Sequence, residues 1–152
     1  MTNTHYLVEG LRLSPSAISR VIAHVDPSMY DTAIDEGRFT LREAVAHLAD
    51  WEPILLGRIK QAAEEPGSIV HGIDESQRAI DQKYSETDLT ESLAKFTSER
   101  AKTVEYVKGL SNEQWSNAAI HNERGPHTAS DFAWTMVGHD TYHFEQFARY
   151  LS

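Results

Sequence analysis

The chain has 152 residues, 14 Lys+Arg against 23 Asp+Glu for a formal net charge of −9 at pH 7, 40% apolar residues, eight His and no Cys. These values suit one domain over residues 1–152 that buries roughly 70% of its unfolded surface without disulfides, and they exclude cysteine nucleophiles, thiolate zinc sites and iron–sulfur clusters. With no Lys/Arg-rich run, no basic leader and no stretch near the ~20 apolar residues of a membrane span, the expectation is a cytoplasmic protein with a small-molecule substrate and neither nucleic acid nor membrane as partner.

Apolar residues recur at helical spacing in four stretches, and none alternates with the period of a strand, so the fold class predicted is all-α. The first stretch runs from about Thr4 to His24, with Leu7, Leu11, Ile18 and Ile22 on one side. Ser14-Pro15 reads there as an N-cap and first-turn proline, which predicts a kink or a restart. The second opens on Thr40-Leu41-Arg42-Glu43, a capping box, carries Leu41, Ala44, Leu48, Trp51, Leu55 and Ile59 on one face, and stops at Glu65-Pro66-Gly67. Pro53 should bend it by removing the bond to the Ala49 carbonyl.

The connection that follows contains Gly67-Ser68-Ile69-Val70-His71-Gly72, which lacks the Lys-Ser/Thr of a phosphate loop. Glu75 to Tyr84 within it predicts a short extra helix. The third stretch, near Asp88 to Leu110 after a Ser85-x-x-Asp88 cap signal, aligns Leu89, Leu93, Phe96, Val104 and Val107, with Arg100 on the same stripe. A cation there requires an acid or a bound anion. The fourth begins at the capping box Thr128-Ala129-Ser130-Asp131 and aligns Phe132, Met136, His139, His143, Phe147 and Tyr150. The three connections, near 25–39, 61–87 and 111–127, are long for a compact domain, which points to function or further short helices in them.

His139 and His143 stand one turn apart on an apolar face, the spacing at which two imidazoles reach one metal ion. Burying both without a shared purpose would desolvate two polar rings. His139-Asp140-Thr141-Tyr142-His143 is not a zinc-protease HExxH: an Asp base is one methylene short, and no His, Asp or Cys follows His143 to complete the site. A third ligand must come from upstream, and His47, beside the apolar stripe of the second helix, is the best candidate. Three histidines from two facing helices leave open positions, as catalytic sites do, whereas structural sites are closed by a fourth ligand.

The segments HLADWEPILLGRI, ERAKTVEYVKGLSNEQW and GHDTYHFEQFARYL, in that order, resemble the helix signatures of the DinB-like (YfiT-related) superfamily. The resemblance covers nearly the whole chain and is firmest from Glu99 to Leu151. It implies a four-helix bundle with up-down-down-up topology and long crossover connections, usually a homodimer, with one divalent metal, often nickel or zinc. The family's ligands map onto His47, His139 and His143, and its common glutamine onto Gln146. It further implies a metal-dependent S-transferase or isomerase that uses a low-molecular-weight thiol (bacillithiol, mycothiol or glutathione), or a hydrolase. A chain without Cys would need an exogenous thiol for such chemistry, and a Lewis-acidic metal would lower that thiol's pKa. The alternative function is a non-catalytic bundle whose metal serves structure or sensing.

Ligating histidines usually donate their free ring N–H to a neighbouring acceptor, which makes Asp50, three residues from His47, the first candidate orienter and Glu52, Asp140 and Gln146 the others. His121, Glu123 and His127 flank a Gly-Pro turn and are expected in an exposed loop, from which Arg124 could reach an anionic substrate. Trp51, Trp115, Trp134 and Tyr142 suit core, pocket or dimer contact, with Trp134 facing a partner subunit. Metal occupancy is expected to fall as pH drops toward ~6.5, where free imidazole protonates.

Overall fold

A computed structural model describes residues 4–152. Four long helices, α1 (His5–Ile22), α2 (Leu41–Glu64), α4 (Leu89–Lys108) and α6 (Ala129–Arg149), form a bundle. Two short helices, α3 (Glu75–Asp81) and α5 (Asn112–Ser116), lie in the connections, as do single 3-10 turns at Pro27–Met29 and Tyr84–Glu86. No helix among the described residues is long and apolar enough to cross a membrane.

Local chemistry sets the helix ends. Thr40 Oγ1 accepts from Glu43 N while Glu43 Oε2 accepts from Thr40 N, and Thr128 and Asp131 make the same reciprocal pair at the start of α6. Asp88 itself caps α4 by accepting from Glu91 N, and Ser85 lies instead within the preceding 3-10 turn.

Cross-helix contacts fix the helix directions. Gly10 faces Val137 and Ser14 bonds Asp140, so α1 and α6 run parallel; Glu52 meets Arg100 while Glu64 meets Tyr106, so α2 and α4 run parallel. The result is up-down-down-up. Of the consecutive long helices only α2 and α4 are parallel, so the connection between them must cross back along the bundle, and its length allows this.

The apolar core is in two parts. One gathers Leu7, Leu11, Ile59, Val107, Phe132 and Met136, and the other Ile18, Ile22, Leu41, Leu48, Phe96 and Phe147. Between them at mid-bundle lies a buried ionic layer. Arg100, 2% exposed, forks to Glu52 (Nε to Oε1, 2.5 Å; Nη2 to Oε2, 3.0 Å) and to Asp140 (Nη1 to Oδ2, 2.6 Å; Nη2 to Oδ1, 2.9 Å). Thr103 Oγ1 donates to Glu52.

This layer corrects the reading of Ser14-Pro15. α1 runs from His5 to Ile22 without a restart, and Ser14 is no cap: its hydroxyl accepts from Arg100 and donates to Asp140. Pro15 has no N–H for the Leu11 carbonyl four residues back, and Arg100 Nη1 donates to that carbonyl at 3.0 Å. The proline and the buried arginine are therefore complementary.

A small three-stranded sheet accompanies the bundle. β1 (Ile69–Val70) pairs parallel with β2 (Ala118–His121), and β2 pairs antiparallel with β3 (Gly125–Thr128). Gly125, at φ +81, makes the tight return of the hairpin. Sequence periodicity did not reveal these strands because they are two to four residues long, and β2 turns Ala119 and His121 inward while leaving Ile120 exposed. The hairpin also corrects the expected exposed loop: His121 is 2% exposed.

Candidate metal centre

α2 and α6 are antiparallel neighbours, so the second turn of one faces the middle of the other. His47 there meets His139 and His143: His47 Nε2 lies 2.8 Å from His139 Nε2, which lies 3.2 Å from His143 Nε2. One ligand atom from each of the three fits within 4.8 Å of the others, and no fourth acidic or histidine side chain joins the group among the described residues. Three nitrogens held at ~2.0–2.1 Å from one ion would stand ~3 Å apart, so the spacing fits one metal.

Hydrogen bonding orients the lone pairs. Gln146 Nε2 donates to the Phe39 carbonyl at 2.8 Å, which turns its Oε1 toward His143 Nδ1, 2.9 Å away. His143 therefore carries its proton on Nδ1 and presents a bare Nε2 to the cluster. The hydrogens available on three mutually facing Nε2 atoms cannot satisfy both close pairs at full strength, whereas a cation between them accepts all three lone pairs. His47 is held by aromatic packing against Phe39, Trp51 and Tyr84, and its buried Nδ1 has no partner among the described residues.

Burial, then repulsion from neighbouring imidazoles, pushes His47 down to about 2 and His143 to about 4; burial also lowers His139. All three are neutral at pH 7, as ligation requires. Burial thus moves protonation of these rings below the ordinary imidazole range near ~6.5. In chelated protein the unfolded chain binds protons on these rings below ~6.5 while the folded chain does not, so stability rises with pH. The melting temperature of metal-free protein is expected to fall on acidification from about pH 7 to about pH 4.5, and a flat profile in a melting series would contradict the buried neutral triad.

Of the residues expected to orient these rings, the structure brings only Gln146 to one of them. Asp50 accepts from Arg78 (Nε to Oδ2, 2.5 Å; Nη2 to Oδ1, 2.9 Å) and from the Tyr84 hydroxyl at 2.6 Å. Asp140 and Glu52 bind Arg100 in the ionic layer. Gln146→Ala is expected to weaken metal binding by about 10–100-fold, measured by competition with a chromogenic chelator; unchanged affinity would show that the amide does not orient His143.

The triad forms part of the wall of a cavity of about 220 Å³, closed by Arg38, Phe39, Glu75 and Tyr142 among others. Arg38 stacks over Tyr142 at 4.3 Å and donates to Gln146 Oε1 at 3.3 Å. Tyr142 is thus a pocket residue, Trp51 is a core residue that also lines a smaller cavity, Trp115 is core and Trp134 is exposed. Arg38 and Glu75 were missed as site residues: Arg38 lies in a connection without periodic pattern, and the short helix expected from Glu75 carried no signal that it faces the histidines. The N-cap signal of Asp74, whose side chain accepts from Gln77 N, was the available clue to where Glu75 would be held.

Comparisons with known proteins find a family model and solved structures of the same fold. The DinB superfamily model matches residues 11–147. YfiT from Bacillus subtilis, described as a probable metal-dependent hydrolase with an unusual four-helix bundle topology, superposes with a TM-score of 0.91 at 19% identity, covering 99% of this chain and 87% of that one. A mycothiol-dependent maleylpyruvate isomerase superposes at 0.76 with 18% identity over 97% of this chain, which spans 63% of the isomerase's length. A search of curated protein sequences finds no match. At these identities the solved structures establish the shared fold.

Proposed function

This chain belongs to the DinB superfamily, and on that premise we propose that it is a metal-dependent enzyme in which His47, His139 and His143 hold one divalent transition-metal ion. Nickel and zinc are the ions proposed, as the family resemblance implies; three neutral imidazoles suit both, as they do copper and iron. The observation that carries the reading is the convergence of three imidazole nitrogens in the wall of a cavity large enough for a small molecule. When bound, such an ion supplies Lewis acidity that lowers the pKa of a water or a low-molecular-weight thiol and polarises an electrophile.

The reaction proposed is transfer of a thiol to a small electrophile, or hydrolysis of one. The chain's own residues bind and orient: Gln146 sets the His143 tautomer, Phe39 and Trp51 fix the His47 ring, and Arg38 with Tyr142 closes the wall. Glu75 is the carboxylate of that wall and is placed to take or return a proton there. The descriptions of the two relatives support metal dependence and an exogenous thiol. The proposal extends to a cytoplasmic homodimer, with exposed Leu13, Trp134 and Phe144 on α1 and α6 as contact surface.

The test is elemental analysis of untagged protein, followed by thiol-conjugation and hydrolysis screens before chelation, after it, and after return of zinc or nickel. Near-stoichiometric metal and a turnover that chelation abolishes and metal restores are expected. Protein that takes up neither ion would overturn the proposal.

A further inference from the structure

Next to the main cavity lies a second of about 60 Å³, walled by Trp51, Arg58, Glu75, Arg124, Thr135 and His139 among others. Arg58 is 8% exposed, lies 5.5 Å from the Trp51 ring centre, and makes its one hydrogen bond to the His71 carbonyl at 3.3 Å. Among the described residues neither Arg58 nor Arg124 has a carboxylate within ion-pair distance. Arg100, 2% exposed, has two.

A guanidinium carries five donors, and Arg58 commits only one, in a long bond to a carbonyl, so the others remain free for a ligand in the cavity it lines. The charged groups facing Arg58 are Arg124, which adds repulsion to the effect of burial, and Glu75 and Glu123, which oppose it by less. The Glu123 carboxylate is seated against Gly72, 2.7 Å from where a Cβ would stand there, and pairs with neither arginine. His121 is near enough to feel both guanidinium charges. Its Nδ1 accepts from Glu123 N, so its buried Nε2 carries a hydrogen, and that hydrogen has no acceptor among the described residues. Two guanidinium groups without a carboxylate partner thus stand in the wall of the small cavity that His139 also lines.

We propose that Arg58 and Arg124 form a subsite for the carboxylate of a small molecule whose other end lies at the three-histidine centre. His139 and Glu75 line both cavities, so one ligand can occupy the two. The smaller has about a quarter of the volume of the main cavity, which suits a terminal carboxylate group of a ligand that extends into the larger one. Arginine forks bind carboxylates through two parallel hydrogen bonds. The role of the ligand's far end rests on the metal-dependent reading; the anion subsite does not.

The test is calorimetric titration of wild type, Arg58→Gln, Arg58→Lys, Arg124→Gln and His47→Ala with succinate, 3-mercaptopropionate, their neutral counterparts succinamide and 2-mercaptoethanol, and inorganic phosphate. Arg58→Gln is expected to weaken at least one carboxylate by about tenfold or more, the value of a charge-assisted hydrogen bond, with the neutral compounds unchanged and Arg58→Lys intermediate. Arg124→Gln, at an exposed turn, reads the same effect without risk to folding. Loss confined to 3-mercaptopropionate places the carboxylate on the thiol, and loss of succinate places it on the electrophile. Arg58-dependent succinate binding that survives in His47→Ala keeps the subsite even if the metal reading fails. Wild type that binds neither carboxylate, variants that bind both as wild type does, or phosphate bound more tightly than succinate would overturn the proposal.

Discussion

His143→Ala and His47→Ala are each expected to leave the purified protein without stoichiometric metal and without metal-dependent turnover. Structural zinc sites of four ligands bind with about 10–16 kcal/mol, so one ligand's share is roughly 3 kcal/mol, or about two decades of affinity. The loss should be larger for His143 than this average, because its Nδ1–H bond to Gln146 presets the Nε2 lone pair. His121→Ala is the matched control: its ring lies outside the cluster, with Nδ1 accepting from Glu123 N. Elemental analysis and chelator competition on the three variants decide the matter. Metal retained in both His47→Ala and His143→Ala, or lost equally in His121→Ala, would remove the triad as the site.

Arg100→Met is expected to destabilise the fold by about 3–5 kcal/mol, because it removes the cation from two buried carboxylates. At this chain length such a loss lowers the melting temperature by about 10 °C. The variant also orphans the Leu11 carbonyl that Pro15 leaves without a backbone donor. Burial already raises the Glu52 carboxyl, with Arg100 opposing the rise. Without Arg100 that carboxyl takes up a proton at higher pH than in the unfolded chain. Stability from a raised carboxyl is present below its unfolded pKa and lost as pH climbs through the folded one, so the deficit should be larger near about pH 8 than near about pH 5. Replacing Glu52, Arg100 and Asp140 together by Gln, Met and Asn should cost less than Arg100→Met alone, since no charge is left buried. Chemical denaturation at the two pH values checks both statements; an equal deficit at each would mean the carboxylates find other partners.

The four long helices were legible because their signals are local. The apolar stripes of α2 and α6 repeat within the helix, and the capping boxes at Thr40 and Thr128 close over three residues. The His139–His143 pair was legible for the same reason, and His47 followed from the need for a ligand on a facing helix, with which the family resemblance agreed. Arg100 was recognised as needing an acid, and Glu52 and Asp140 were singled out on other grounds, yet nothing in the chain joined them.

What the sequence determined by itself was therefore the helices, their ends, and the imidazoles that share a face. Tertiary structure alone decided partners. Asp50 stands three residues from His47, but the crossover after α2 brings Arg78 and Tyr84 to it, and a guanidinium outcompetes an imidazole N–H for a carboxylate. Asp140 is adjacent to His139 in sequence but, one residue on around α6, points at α1 and α4. His121 is buried by a hairpin whose strands are too short to show a period, and the cavity beside Arg58 exists only because α2, α3, α6 and that hairpin meet. Periodicity and capping act through a few bonded neighbours, whereas the choice of partner for a charged side chain depends on which remote surface packing sets within hydrogen-bond reach.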